Sequence, residues 1–383
     1  MIRFIRAQCT ALFIIVSPAL FAGEGLFQYA PPFQVVSVRE SGYGGPHAAF
    51  ANGLFSLFSN VAALSSVQES TVFGVGVDLA PLELSHLINV LTGSDLDAGK
   101  LAEYTAANLS RAPPPFSFQG PLFWGYTGKS IGIGAFNRSH IGSTIEYDDS
   151  NGTAVYRARL YNDIVAGGGL AANAVDTALH KLDFGIGAYF FFRNAATMLK
   201  QTQSVTVKTA RNVLDAGYTF GYNSLGMGLS CGMLYRYSER FALGISANNV
   251  PAASVFITAD EDDKPAGFLF VPEVNAGMAF RIIYTNFLVW SVMLDLRDML
   301  AQTALFTGHK VDALLSLTLG MEFVFRNTVA LRLGFADMLP SFGLGFDAGG
   351  LKFNGAFYGA EYGAVGGVYS TWNIALGVQL TRN

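Results

Sequence analysis

The chain has 383 residues, 51% apolar and 13% aromatic, with only 14% charged and a net charge of −4. Soluble domains carry roughly 25% charged residues, and an acidic chain without a basic patch argues against a nucleic-acid partner. No stretch of about 18 uncharged apolar residues offers a spanning helix. What is left is a soluble protein with a large core, or a membrane barrel, whose alternating strands escape a hydropathy scan.

The first element is an export signal. Arg3 and Arg6 precede an apolar run from Ala11 to Phe21, followed by Ala22-Gly23-Glu24. This predicts a cleaved signal over residues 1–22, too short to span as a helix. Cys9 precedes the apolar run, where a lipidated cysteine would follow it, so the mature chain keeps Cys231 alone. Next comes 40–66, glycine-rich at first and then apolar at Phe50, Leu54, Leu57, Phe58, Val61 and Leu64. A short helix is expected there, in a segment 23–69 that forms either a periplasmic extension or a plug in a lumen.

From about residue 116 to the end a period of two dominates. In 225–237, Leu225, Met227, Leu229, Cys231, Met233, Tyr235 and Tyr237 alternate with Gly226, Gly228, Ser230, Gly232, Leu234 and Arg236. The stretches 315–326, 329–336 and 372–381 repeat the pattern, with charges on the non-apolar face. Period two means strand. A soluble sandwich would cover its second face with Lys and Glu; here that face is glycine and serine. In a transmembrane barrel the apolar face meets lipid and the small and polar face lines the lumen.

Strands are expected at 70–80, 116–126, 129–147, 152–171, 180–194, 213–237, 240–249, 271–284, 286–297, 311–326, 328–337, 341–347, 350–358 and 368–381. Fourteen requires 213–237 to be one strand. Its apolar phase runs on even positions to Tyr222 and on odd positions from Leu225, so a bulge is expected near Asn223-Ser224. Short links such as Ser238-Glu239-Arg240 and Arg326-Asn327-Thr328 become periplasmic turns. The segments 81–115, 195–212, 250–270 and 298–310 become outer loops, with helices expected in 82–110. The fold class is all-β, a 14-stranded antiparallel transmembrane β-barrel over 70–383 with an N-terminal helical plug.

Enzyme signals are weak. His47, His86, His140, His180 and His309 lack metal spacing. No Gly-x-Ser-x-Gly elbow precedes a helix. Gly167-Gly168-Gly169 reads as a strand kink or bulge, and Asp260-Glu261-Asp262-Asp263 as a solvated loop tip. No catalytic residue, metal or cofactor is expected. A greasy path is suggested by Tyr189 and Phe191 on the lumen face and by Leu87, Leu91, Phe256, Phe268, Leu305 and Phe306 in outer loops.

The motifs in order resemble the long-chain fatty acid transporter (FadL-like) type of outer-membrane barrel, and within it a treponemal branch. GYGGPHAAFA (42–51) followed by LFSNVAAL (57–64) is similar to the N-terminal hatch motif, with Asn60, Ala62 and Leu64 in matching places. LYRYSERFALGIS, VPEVNAGMAFR, LDLRDML, LGMEFVF, LRLGF and GAEYGAVGG resemble later strands and a last outer loop. The hatch motif departs at Val61 and Ala63, where proline and glycine are usual. The resemblance implies a bacterial outer-membrane monomer closed by a hatch that includes Gly42, Gly44, Gly45, His47, Asn60, Ala62 and Leu64. It also implies passive uptake of hydrophobic molecules (fatty acids, detergents or lipids), contact with outer-membrane lipid, and insertion by the barrel-assembly machinery. The other function kept open is a surface or assembly barrel that binds proteins without transport.

Overall fold

The structure is a computed structural model that describes residues 27–30, 33–79, 116–128, 130–148, 153–202, 220–259, 267–300, 316–364 and 367–382. The expected signal and the 82–110 helices lie outside these residues, as do Leu87, Leu91, Leu305 and Phe306.

After β1 (Phe27–Ala30), two helical turns precede the barrel: α1 (Val38–Ser41) and α2 (Ser56–Ser59). The strands then follow as β2 (Ser70–Leu79), β3 (Phe116–Gly128), β4 (Ile131–Asp148), β5 (Thr153–Asp176), β6 (His180–Thr202) and β7 (Phe220–Tyr237). Next are β8 (Phe241–Asn248), β9 (Ala252–Ala259), β10 (Gly267–Phe270), β11 (Glu273–Tyr284) and β12 (Leu288–Leu296). Last come β13 (Leu317–Phe325), β14 (Val329–Ala336), β15 (Leu339–Ala348), β16 (Leu351–Ala364) and β17 (Gly367–Arg382).

These strands close into an antiparallel barrel. β17 pairs with β2 from Ile374↔Leu79 to Arg382↔Thr71. β8 and β9 are two halves of one stave, since both pair with β7 along its length. β10 and β11 are the halves of the next, paired with β9 and β8 respectively. Pro251 and Pro272 fall in the two interruptions, where a residue without an N–H cannot serve the ladder. The closed wall therefore has fourteen staves, and β1 stands outside the count. It pairs in parallel with β10 (Phe27↔Gly267 to Ala30↔Phe270), beyond the point where β12 ends.

Alternation sets the two faces. Ile186, Leu170, Trp124, Leu225 and Leu376 are half or more exposed, while their chain neighbours turn inward. On β4 to β7 the outward apolar rows end above in amides. Asn137 Nδ2 donates to Asn162 Oδ1 at 2.8 Å, Ser139 Oγ to the same oxygen at 2.8 Å, and Asn194 Nδ2 to Asn223 Oδ1 at 2.6 Å. They end below in aromatics, where Tyr235 meets His180 Nδ1 at 2.8 Å. From Asn223 to Tyr235 on one strand, a rise of about 3.3 Å per residue and a tilt of about 40° give roughly 30 Å, a membrane's hydrocarbon thickness.

Several expectations are corrected. The outer loops assigned to 195–212 and 250–270 are partly wall: β6 runs to Thr202, and β9 and β10 carry Phe256 and Phe268. The irregularity expected near Asn223-Ser224 is present in β7: against β9 the register shifts between Asn223 and Ser224, and against β6 Ala195 faces Tyr222 and Ala196 faces Phe220, leaving Gly221 unpaired. Tyr222 consequently points into the lumen, 5.7 Å from the Phe268 ring. Gly167-Gly168-Gly169 is no kink, because its pairing with β4 and β6 is regular; the irregularity in β5 falls at Asn173–Val175. The short helix expected in 40–66 is α2, flanked by a 3-10 turn and a second 3-10 turn over Val61–Ser66; it stops at Asn60, which is extended (φ −154°) and caps the last turn through Ala62 N–H.

Candidate functional site: the lumen and the segment inside it

Residues 33–66 lie within the barrel, and the glycine face of the wall receives them. A side chain at Gly185 would strike the Val61–Ala62 backbone, at Gly244 the Ala48 carbonyl, at Gly232 the Asn60 amide, and at Gly334 the Tyr43–Gly44 peptide. Gly132 and Gly169 admit Leu64, and Gly42 meets Gly343 backbone to backbone. Glycine here is a socket for close approach. Gly44 (φ +93°) and Gly45 (φ +108°) need glycine for a second reason, a left-handed turn that leads out of α1.

Polar contacts fix the fit. Asn60 Nδ2 donates to Ala48 O at 2.7 Å and to Met233 O at 3.2 Å, while its Oδ1 accepts from Ala62 N at 3.1 Å. His47 Nδ1 lies 2.6 Å from Asp295 Oδ1, and Asp295 Oδ2 accepts from Ala48 N at 2.6 Å. Arg39 on α1 grips Glu322 with Nε at 3.0 Å and Nη2 at 2.8 Å. Arg332 Nε adds a third bond to Glu322 at 2.8 Å. Glu40 closes a capping box with Ser37, and burial pushes its carboxyl above the ordinary glutamate value against those bonds.

A continuous string of rings runs down the β3–β10 side. Phe256 and Tyr222 meet Phe268 at 5.1 and 5.7 Å. Phe268 packs on the cluster in which Phe270 lies 5.4 Å from Phe191. Phe33, from the N-terminal segment, stacks on Phe191 at 4.8 Å and on Tyr189 at 5.2 Å. Tyr189 leads to Phe58 (5.8 Å), Phe58 to Phe136 (5.0 Å), Phe136 to Phe55 (5.8 Å), and Phe55 to Phe123 (4.9 Å). The upper string carries a bidentate ion pair, Arg193 to Asp163 at 2.7 and 2.9 Å.

The string ends at open space. A cavity of about 690 Å³ at the short-turn end is lined by Leu54, Phe55 and Phe123 on one side and by Arg39, Arg332 and Lys352 on the other. A second, of about 620 Å³, lies across the residues near Asn52 and Ser66, which border both.

Of the residues singled out in the sequence, Gly42, Gly44, His47, Asn60, Ala62 and Leu64 are buried against the wall, and Gly45 is half-buried. Tyr189, Phe191, Phe256 and Phe268 join one string. Sequence reasoning placed Phe58 in the inserted segment without linking it to the string, and missed Phe33, Phe136 and the Arg39–Glu322–Arg332 cluster. One signal was present: Leu122-Phe123-Trp124 and Tyr189 to Phe192 are apolar on both faces, which an alternating strand needs only where its lumen side is also packed.

The fold and its lipid-facing belt define a transmembrane β-barrel of the bacterial outer-membrane type. Among solved structures, the toluene transporter TodX of Pseudomonas putida is similar at 12% identity and a TM-score of 0.49, over 94% of this chain and 99% of that one. The toluene transporter TbuX of Ralstonia pickettii gives 13% and 0.48 (89% and 97% covered), and a Pseudomonas aeruginosa FadL homologue 10% and 0.45 (92% and 99%). No family model and no curated protein matches the sequence.

Proposed function

We propose that this barrel is a passive outer-membrane transporter for hydrophobic molecules such as long-chain fatty acids. The observation that carries the reading is the ring string. An open polar pore is built from charged rings around water, whereas this lumen joins its two ends through contiguous aromatic faces. Ligand enters near Phe256 and Phe268, follows Phe191 and Tyr189, and leaves toward the short-turn cavities. Residues 23–69 act as the hatch, seated through Gly42, Gly44, Gly45, His47, Asn60, Ala62 and Leu64. Since the string is packed shut, with Phe191 1% and Phe136 2% exposed, passage requires its rings to move, Phe33 first because it belongs to the inserted segment and not to the wall.

The test is uptake by vesicles containing the purified protein. Labelled palmitate should enter faster than into vesicles bearing a closed barrel of another kind. Equal rates in the two preparations discard transport.

A further inference from the structure

One short piece of the inserted segment is held unlike the rest of it. Between Gly42 and Leu64 the wall is met through glycine sockets. Phe33 and Gln34 lie in no regular element and are gripped by side chains instead. The Phe33 ring, 3% exposed, stacks on Phe191 (4.8 Å, 14°) and Tyr189 (5.2 Å, 19°). It meets Phe270 edge-on at 6.0 Å and lies 6.0 Å from the Arg138 guanidinium. Polar groups converge on the same two residues from three staves. Asn249, fully buried in the interruption between β8 and β9, reads both backbone groups of Phe33. With its amide oriented so that both atoms find partners, Nδ2 donates to Phe33 O and Oδ1 accepts from Phe33 N, each at 3.2 Å. Arg138 Nη1 on β4 donates to Gln34 O at 2.9 Å, and Gln34 Nε2 donates to the buried Glu273 of β11. An apolar slot with a few polar groups aimed at fixed points is the build of a small-molecule site. This one is filled, so its occupant shows what it recognises: a flat ring with an N–H and a C=O beside it.

We propose that this slot is a ligand subsite which the chain fills with its own Phe33–Gln34, and that the free molecule it takes is an uncharged aromatic amide, such as a blocked phenylalanine. The site rests on the transport reading and narrows it, from apolar molecules at large to ones bearing a ring next to a peptide-like group. Phe33 bridges Phe191 and Tyr189 within the string, so a molecule moving down the string takes its place there. A plain hydrocarbon replaces the ring alone. It leaves Asn249 and Arg138 without the groups that Phe33 and Gln34 supplied. Buried polar groups without partners are costly, and a site built to hydrogen-bond its ligand rejects an analogue that cannot. An aromatic amide restores ring, N–H and C=O together, and it is neutral, as are the two residues it replaces. The tether sets the competition. Phe33 is present at the high effective concentration of a linked group, so free ligand binds the full chain weakly until Phe33 is shortened.

Photolabelling of the full chain in vesicles tests this. The probe is N-acetyl-phenylalaninamide with a diazirine on its ring; the comparison is the same phenyl diazirine without the amide. In the unaltered protein the amide probe should label the peptides holding Tyr189, Phe191 and Phe270 weakly. Phe33→Ala, which alters no wall residue, should raise that labelling by about tenfold or more, the worth of burying one ring. In the Phe33→Ala background, Asn249→Leu should lower it by about tenfold, the worth of one hydrogen bond, and leave the plain phenyl probe unchanged. Arg138→Met should act in the same direction and Arg138→Lys should restore labelling; this pair serves where Asn249→Leu gives no heat-resistant barrel. Equal labelling by the two probes, or amide labelling indifferent to both substitutions, overturns the amide site. Palmitate uptake with no labelling at these peptides overturns it too and leaves transport standing. Amide labelling that follows the substitutions without any uptake keeps the site and removes the transport reading.

Discussion

Asn60 and the glycines around it divide one task between them. The glycines let backbone approach backbone, and Asn60 satisfies the polar groups that this approach strands away from water. Asn60→Leu leaves Ala48 O, Met233 O and Ala62 N–H without their partner. Buried orphans of this kind cost about 1–3 kcal/mol each, so the folded barrel should lose its heat-resistant gel mobility at a clearly lower temperature. Gly185→Val should act likewise by overpacking, at about 1–3 kcal/mol, because its side chain would enter the Val61–Ala62 backbone. Gly168→Ala on the neighbouring strand points outward, with its nearest atom Ile133 Cγ2 at 3.4 Å. An unchanged melting profile is expected there, and equal losses at Gly168 and Gly185 would contradict the socket account. The sockets were half legible: the glycine-serine face was visible as a period of two, and its inward direction followed from missing charge. Which glycine receives which residue depends on contacts between positions over a hundred apart, as with Gly232 and Asn60, and no local pattern encodes that.

At the scale of elements, the N-terminal strand is the least expected piece. Nothing in Phe27–Ala30 marks it as part of the wall, and its partner Gly267–Phe270 was assigned to a loop. The reason is that β10 is only four residues long, too short to show a periodicity. Yet without β1 the far edge of β10 would present unpaired backbone groups, which a membrane tolerates poorly. Deleting residues 23–31 should leave β2–β17 able to assemble but open the seam beside β10. Single-channel recording in planar bilayers should then show conductance steps absent from the full chain; identical silent traces would show that the seam closes without β1. The bulged strand β7, by contrast, was legible as a phase shift, which falls at Gly221 against β6 and at Asn223–Ser224 against β9.

The whole molecule is registered in the bilayer by its outer surface. Ile186, 66% exposed, sits within the apolar belt on the same outward row as Asn194. Ile186→Arg should weaken refolding into lipid vesicles by about 2–4 kcal/mol, while Asn194→Arg, at the boundary, should cost about 0–1 kcal/mol. Urea titration of the refolded protein in vesicles measures both, and a larger penalty at Asn194 would misplace the belt. The barrel class was readable because alternation is a property of every stave, repeated fourteen times. The ring string was readable only in fragments, since its members come from six strands and the inserted segment.

The inserted segment also constrains the order in which the molecule can be made. Residues 33–66 precede the first stave, and the wall that surrounds them is sealed by the pairing of that stave with the last, β17. The sockets at Gly185, Gly232 and Gly244 are accessible from inside only. Seating of residues 33–66 in the cradle of the growing sheet before its two margins meet would let the β17–β2 pairing trap them there.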